Sequence, residues 1–446
     1  MHERAASRFD VAVRLHERQT WDGAAPRAIV ALPARDEGDR IEACLAALLA
    51  QSSEAAADGR ASFGIVLLAN NCRDATVSRA RQQLAGAGVP HRVHDIRLPP
   101  NRANAGFARG LALDLARLWL EHAGDEGALL TTDADTLVKS DWIRRNLEGL
   151  SAGCGAVAGR FELDPVEEAL LPAHLRRRRR IEAAYEVALL TLSALLDPVP
   201  HDPWPNHWTT SGASFALTLS AYRKIGGQPD VKVSEDKALA LALACHDIPI
   251  RHDPTIVVST SARLEGRAAG GCATTLKRRC EAHDSPGDEK LEALPAALRR
   301  VILRRRFRQA FTTDFRAAEW ECRLAMPPGS LQDGTPRHFG EAWRKVEALC
   351  PLLARRPLRP VEMERHLLAA QRMLAGLERR SAPAQEIEPI VVSPLLTEEA
   401  QRPRYFRDKA FSRFVTGKRI IRFPDPMDQL DVAARSEGAH DAFGEP

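Results

Sequence analysis

An α/β layer built on a mostly parallel sheet, followed by a helical C-terminal region, is the fold class this sequence predicts, and three observations predict it. Between Arg27 and Glu162 short apolar runs alternate with amphipathic segments. Polar residues gather in the loops that directly follow those runs. Beyond about Lys277 the texture changes to charged helical patterns. Strand and helix in alternation at this spacing are what a parallel sheet covered by helices requires.

The runs Ala28–Leu32, Phe63–Ala69, His91–Ile96, Ala128–Thr132 and Ala156–Phe161 read as buried strands, because their apolar character is nearly continuous rather than alternating. Ile41, Leu45, Leu48 and Leu49 share one helical face, and Trp142, Ile143, Leu147 and Leu150 another. A second block, about Ser211 to Gly271, holds Gly212-Ala213-Ser214, then Ser234-Glu235-Asp236 ahead of the helical pattern Leu239, Leu243, and a strand at Thr255–Ser259. A Pro/Gly patch at Pro327–Pro336 and a Pro-rich break at Ala382–Pro394 interrupt the charged helices that follow. The boundaries are an N-terminal arm over 1–26, an α/β domain over 27–272, a helical region over 273–425 and a flexible tail over 426–446.

Composition narrows the function classes. The 446 residues carry 63 Lys plus Arg against 59 Asp plus Glu, a net charge of +4, which excludes an acidic disordered chain. Arg outnumbers Lys 54 to 9, so Arg abundance by itself identifies no ligand. The eight cysteines form no C-x-x-C pair and no regular framework, as expected of free thiols in the cytoplasm. No signal peptide is visible at Met1-His2-Glu3-Arg4, and the longest apolar segment, Ala183–Leu196, contains Glu186 and falls short of the roughly 20 residues of a membrane span. Arg176–Arg180 runs into a helix with Glu182 and Glu186, so it reads as a solvated face and not as a nucleic-acid site. Arg299–Arg308 is basic and amphipathic, which keeps peripheral membrane contact open. Assembly into a homo-oligomer stays open as well.

In a parallel sheet, ligands sit beyond the carboxyl ends of the strands. Three loops there are polar: Pro33-Ala34-Arg35-Asp36-Glu37-Gly38, Asn70-Asn71-Cys72-Arg73-Asp74, and Asp133-Ala134-Asp135. Residues two apart on an extended backbone point to one side, so Asp133 and Asp135 can face one oxygen-loving cation, Mg²⁺ or Mn²⁺. The alternative is an acidic loop before a helix capped by Ser140 or Asp141. Gly106 and Gly110, in Asn104-Ala105-Gly106-Phe107-Ala108-Arg109-Gly110, permit either approach of backbone to a phosphate or close helix–sheet packing. Ser234 is a natural cap for the helix that Glu235 and Asp236 begin. His201–Trp208 holds two Trp, two His and two Pro in eight residues, and is either a sugar-facing loop or one anchored by buried indoles.

This ordered set of motifs, over about residues 27 to 270, resembles the family 2 glycosyltransferases of the GT-A fold. It resembles their soluble, non-processive members, because the Q-x-x-R-W motif and the membrane helices of polysaccharide synthases are absent. The resemblance implies a sugar moved from a nucleotide-diphosphate donor to a hydroxyl on a small-molecule or glycan acceptor, with inversion favoured. It implies that Asp236, or else Glu235, is the general base. It places the donor on Pro33, Ala34, Arg35, Glu37, Asn70, Asn71, Asp74, Gly106, Arg109, Asp133, Arg263 and Arg267, and a divalent metal on Asp135 and Asp133, with His252 as a further ligand. Trp204, Trp208, Gly212 and Ser214 fall on the acceptor side. Asn70 and Asn71 stand where the family usually has an aspartate that contacts uracil, which leaves the donor base open. A nucleotidyltransferase would carry a G-x-G-T-R-type loop after the first strand, absent from Pro33–Gly38. A non-catalytic sugar-binding scaffold would not need the D-A-D and E-D pairs.

Overall fold

A computed structural model describes residues 7–18, 26–51, 61–124, 126–267, 270–331 and 338–381. The elements in chain order are α1 (Arg8–His16), β1 (Ala28–Ala34), α2 (Ile41–Leu49), β2 (Gly64–Asn70), α3 (Thr76–Leu84), β3 (His91–Ile96) and α4 (Ala105–His122). Next come β4 (Ala128–Thr131), β5 (Thr136–Leu137), α5 (Trp142–Ser151), β6 (Ala156–Leu163), α6 (Pro165–Ala169), α7 (Ala173–Leu196), β7 (Phe215–Thr218), α8 (Leu219–Lys224), α9 (Glu235–Cys245) and β8 (Ile250–Thr260). The α-helices α10 (Cys272–Glu281), α11 (Leu294–Thr313), α12 (Ala317–Arg323), α13 (Phe339–Leu349) and α14 (Pro360–Ser381) follow among the described residues. This is the α/β architecture with a helical extension that the sequence predicts. The Ala382–Pro394 break, the region beyond 381, the tail over 426–446 and the second half of the Pro327–Pro336 patch lie outside the described residues.

One eight-stranded sheet runs in the order β3-β2-β1-β4-β7-β6-β8-β5. Strands β1 to β4 pair in parallel, whereas β7 joins both β4 and β6 antiparallel. The sheet is therefore mixed past β4. Strand β7 escapes sequence reading because Phe-Ala-Leu-Thr is only four residues long and directly follows a glycine-containing loop. Both faces are covered, which explains the unbroken apolar runs. Ile29, Ala31, Val66 and Leu68 face α1, α4 and α9, while Val30, Leu32, Ile65 and Leu67 face α2, α3 and α5.

The arm before the sheet contributes to the core. Helix α1 starts with a Ser7–Asp10 capping box and lays Ala12, fully buried, against the α4 side of the sheet. The C-terminal helices form two further clusters, one around Phe307, Trp320 and Trp343, the other joining α7 to α11 and α14 through Tyr185, Leu189, Leu291 and Met363. Arginines of α11 serve this packing: Arg300 binds Glu292 and Glu347, and Arg308 binds Asp197. In α7, buried Arg178 donates to Glu182, Ser285 and the Pro286 carbonyl, so the arginine run is partly internal. The extension also grips α9. Asp247, just after α9, accepts the Phe339 and Gly340 N–H groups that open α13, at 2.8 and 2.7 Å. No described helix is long and apolar enough to cross a membrane.

Candidate functional site

The carboxyl ends of β1, β2 and β4 bring the three polar loops to one edge, as parallel strands must. The loops then interlock. Asp74 accepts the Gly38 N–H at 2.8 Å and the Thr76 N–H at 3.0 Å, and Thr76 Oγ1 accepts from the Glu37 N–H at 2.8 Å. Asp36, in the left-handed region at φ 51°, accepts the Arg73 N–H at 2.7 Å. Asp36, Cys72 and Asp74 place ligand atoms within 4.8 Å of one another, and Asp36 Oδ1 and both oxygens of Asp74 accept the bonds just given. Their role is to join two loops.

Arg109 is the hub of the site. It lies on the first turns of α4, 5% exposed. Its Nη2 donates to Asp133 Oδ1 at 2.5 Å and its Nε to Glu235 Oε1 at 3.2 Å. Nη1 donates to Thr131 Oγ1 at 2.8 Å and to the Gly212 carbonyl at 3.1 Å. One planar fork thus ties the D-A-D loop, the E-D helix and the Gly212 loop together, which Lys with its single ammonium cannot reproduce. Gly212 has to be glycine here, since a Cβ would sit 2.2 Å from the guanidinium carbon.

Arg263 is a second fork. It donates to Glu37 at 2.7 and 2.5 Å and lies 3.1 Å from Asp135 Oδ2. Arg267 donates to the Asp36 carbonyl at 3.0 Å. Glu167, on α6, accepts from the Ser261 hydroxyl and the Ala262 N–H and pairs with Arg40, so it shapes the loop that carries Arg263. Burial, and then the nearby Asp133 carboxylate, push Asp135 up to about 6.

Glu235 and Asp236 differ in their surroundings. Glu235 is held by Arg109, whereas the Asp236 carboxylate accepts only backbone N–H groups among the described residues, Lys237 at 2.7 Å and Gly212 at 3.4 Å. Burial, and then Glu235, raise Asp236 above the ordinary carboxylate range. Ser234 makes no side-chain cap. It occupies the left-handed region at φ 56°, outside the extended conformation usual for a capping serine.

Several expected site residues are employed otherwise. His252 binds Asp202 through Nδ1 at 2.8 Å and pairs across the sheet with Ala158, whereas Thr260, beside Asp135, pairs with Leu163. Five strand residues at about 3.3 Å each put His252 roughly 17 Å from the D-A-D edge. It is not a ligand partner of Asp135. Ser214 is fully buried and accepts from Trp142 Nε1 at 2.9 Å, which makes it part of the sheet's packing. Trp208 packs on the α7 cluster, with Lys290 donating to its carbonyl at 3.1 Å. Gly106 faces protein, since a Cβ there would lie 2.0 Å from the Val231 carbonyl oxygen; close packing explains this glycine. Asn71 spends both side-chain atoms on the Leu98 backbone, at 2.9 Å each. Asn70 is 2% exposed with Oδ1 unpartnered. Arg35 donates to the Ala103 carbonyl at 2.8 Å, joining the first loop to the start of α4.

Residues 29–199 match the family model described as glycosyl transferase family 2. The match covers 171 of the 446 residues, within the α/β part of the chain. These residues span the sheet from β1 to β6 and the helices from α2 to α7. Among solved structures, the chain is similar to the mannosyltransferase PcManGT from Pyrobaculum calidifontis in complex with GDP-Man and Mn²⁺, at 18% identity, 76% of this chain, 95% of that chain and TM-score 0.37. It is similar to S. aureus TarS 1–349 in complex with UDP-GlcNAc, at 15% identity, 80% and 93% coverage and TM-score 0.38. It is similar to glucosyl-3-phosphoglycerate synthase from Mycobacterium tuberculosis in complex with Mn²⁺, uridine-diphosphate and phosphoglyceric acid, at 18% identity, 59% and 77% coverage and TM-score 0.32. No curated protein sequence matches significantly. Arg8, Asp114, Gln228 and Glu167 around the candidate site were not legible from motifs, although Asp114 is a charge inside the otherwise apolar stretch Leu111–Ala116 of α4.

Proposed function

We propose that this chain transfers a sugar from a nucleoside-diphosphate sugar to a hydroxyl acceptor, with metal assistance, inversion and a single addition per encounter. The observation that carries it is the asymmetry of the E-D pair. Glu235 is neutralised by Arg109, while Asp236 keeps a carboxylate that only backbone N–H groups touch, and burial makes it a better base than a solvated one. Asp236 removes the proton of the acceptor hydroxyl as that oxygen bonds to the anomeric carbon, and the carbon–oxygen bond to the diphosphate breaks. Attack from the face opposite the diphosphate inverts the centre.

Asp133 and Asp135 suit a hard divalent cation. Both are oxygen donors, Asp133 is a third exposed, and the upward shift of Asp135 that Asp133 contributes places the two carboxylates close enough to repel. Asp133 Oδ1 is committed to Arg109, which leaves its second oxygen for an ion. Two protein carboxylates match Mg²⁺ or Mn²⁺, which complete their shells with water and phosphate oxygens. Such an ion, when bound, offsets the charge that develops on the departing diphosphate. Arg263, a bidentate fork beside Asp135, can turn to a phosphate oxygen. Arg109 holds the D-A-D loop and α9 in register so that donor and base meet.

The test is a thermal-shift panel of UDP-glucose, UDP-N-acetylglucosamine and GDP-mannose with and without Mn²⁺, followed by release of nucleoside diphosphate. Stabilisation by one donor that requires the metal, lost in Asp135→Ala, supports the reading. A chain that no donor stabilises, or an Asp236→Asn variant with unchanged turnover, would sink it.

A further inference from the structure

Helix α1 reaches the E-D helix through a chain of buried polar contacts. Arg8 lies at its first turn, and its Nε donates to Asp114 Oδ2 at 2.7 Å while its Nη2 donates to the Gln228 carbonyl at 2.7 Å. Asp114 is 2% exposed and its other oxygen accepts from the Tyr222 hydroxyl at 2.7 Å. Gln228, 3% exposed, donates from Nε2 to the Glu235 carbonyl at 2.6 Å. Gly110 opens the route along α4, because a Cβ there would sit 2.6 Å from the Arg8 guanidinium carbon.

The loop between Gln228 and Glu235 needs such a clasp. It is entered through Gly226 and Gly227 at φ 76° and 92°, and it ends on Ser234 at φ 56°, a left-handed conformation that a non-glycine residue holds only when its surroundings impose it. Ser234 makes no capping bond that would hold the turn from within. Outside bonds do so at both ends: Arg8 fixes the Gln228 backbone, and the Gln228 amide fixes the first residue of α9. Arg109 then fixes the Glu235 side chain from α4. Asp114, Tyr222 and Asp230 are among the groups that face Arg8.

We propose that Arg8 is a positioning residue for the Glu235–Asp236 pair: acting through Gln228, it holds the loop that sets where the Asp236 carboxylate points. The inference rests on Asp236 being the base. Its consequence is that the arm before the sheet belongs to the working enzyme. Without Arg8, Asp236 is still present, and the donor loops keep their own bonds, Asp74 to Gly38 and Thr76, Arg263 to Glu37 and Arg109 to Asp133, so the defect falls on turnover more than on donor affinity.

The experiment measures release of nucleoside diphosphate, with water as acceptor, from whichever of UDP-glucose, UDP-N-acetylglucosamine and GDP-mannose the enzyme turns over. Arg8→Met and Gln228→Leu are each expected to lower kcat about tenfold or more with the donor KM within about twofold. The double variant is expected to be no slower than the slower single one, because both changes open the same clasp. Arg8→Lys keeps a positive charge beside Asp114 and is expected to melt close to the wild-type temperature while recovering only part of kcat. Wild-type kcat in a folded Arg8→Met or Gln228→Leu variant, or losses that multiply in the double variant, would overturn the proposal. Asp236→Asn is assayed alongside. If it retains turnover, the base assignment has failed; if it is inactive while Gln228→Leu is unaffected, only the positioning role has.

Discussion

Arg109→Met removes the hub of the site while leaving a side chain of similar length. Two carboxylates lose their partner at once. Glu235, 11% exposed, then has no other cation at its carboxylate among the described residues, whereas Asp133, 34% exposed, can relax toward water. Breaking a buried ion pair from one side costs about 3–5 kcal/mol, and the exposure of Asp133 puts this case near the lower end, about 3 kcal/mol. At about 2–4 °C per kcal/mol for a domain of this size, the melting temperature falls by roughly 6–12 °C. The sign with pH follows from Asp236. Its folded-state carboxyl already titrates above the unfolded value, so its ionised form is a penalty that is complete above the folded pKa and vanishes as pH falls toward the unfolded one. Arg109 is one of the groups that hold Asp236 down, and removing it enlarges that penalty. The deficit in melting temperature is therefore larger at pH 8 than at pH 5, and the acid limb of kcat moves to higher pH. Thermal melts at both pH values with a kcat profile check this. A deficit that grew on acidification, or no deficit at all, would refute the reasoning.

Other substitutions read other parts of the site. Because Asp135 is pushed up to about 6, protons compete with the cation below that value; Mn²⁺ affinity by calorimetry should weaken steeply between pH 7.5 and 5.5, and a flat profile would exclude Asp135 as ligand. His252→Ala should leave Mn²⁺ affinity unchanged, since His252 answers to Asp202, and a tenfold loss would restore it as a ligand. Gly106→Ala forces a Cβ to within 2.0 Å of the Val231 carbonyl oxygen, so it should destabilise by about 1–3 kcal/mol and lower turnover, whereas wild-type melting would mean that the 228–234 loop yields freely. Ser214→Ala strands the Trp142 indole N–H in the core and should cost about 1–3 kcal/mol in denaturant melts, with donor KM unchanged if Ser214 is packing alone.

Legibility followed locality. The strands over Ala28–Leu32 and Phe63–Ala69 were readable because both sheet faces are covered there, and the three polar loops followed because parallel strands put their carboxyl ends together. His252 misled because its place in the sequence, shortly after the E-D pair, says nothing about position along β8, which begins far from Asp135 at His252 and reaches it only at Thr260. Ser214 misled for a related reason: a motif places a residue in a loop but does not say which face of the following strand it joins. The glycines of α4 were legible as places of close approach. Whether a phosphate or a protein carbonyl approached was not.

What the sequence determined by itself was the alternation that builds the sheet, the loops that meet at its edge and the residue types that suit a nucleotide sugar. These follow from periodicity and chain direction, which act over a few residues. Only the tertiary structure decided which charges pair. Arg109 finds Glu235 across 126 positions, Arg263 finds Glu37 across 226, and Arg8 finds Asp114 across 106. Buried charges must be paired, yet nothing local selects the partner. The packing of α1, α4 and α9 selects it, and leaves Asp236, of the two acidic residues that open α9, bonded only to backbone N–H groups among the described residues.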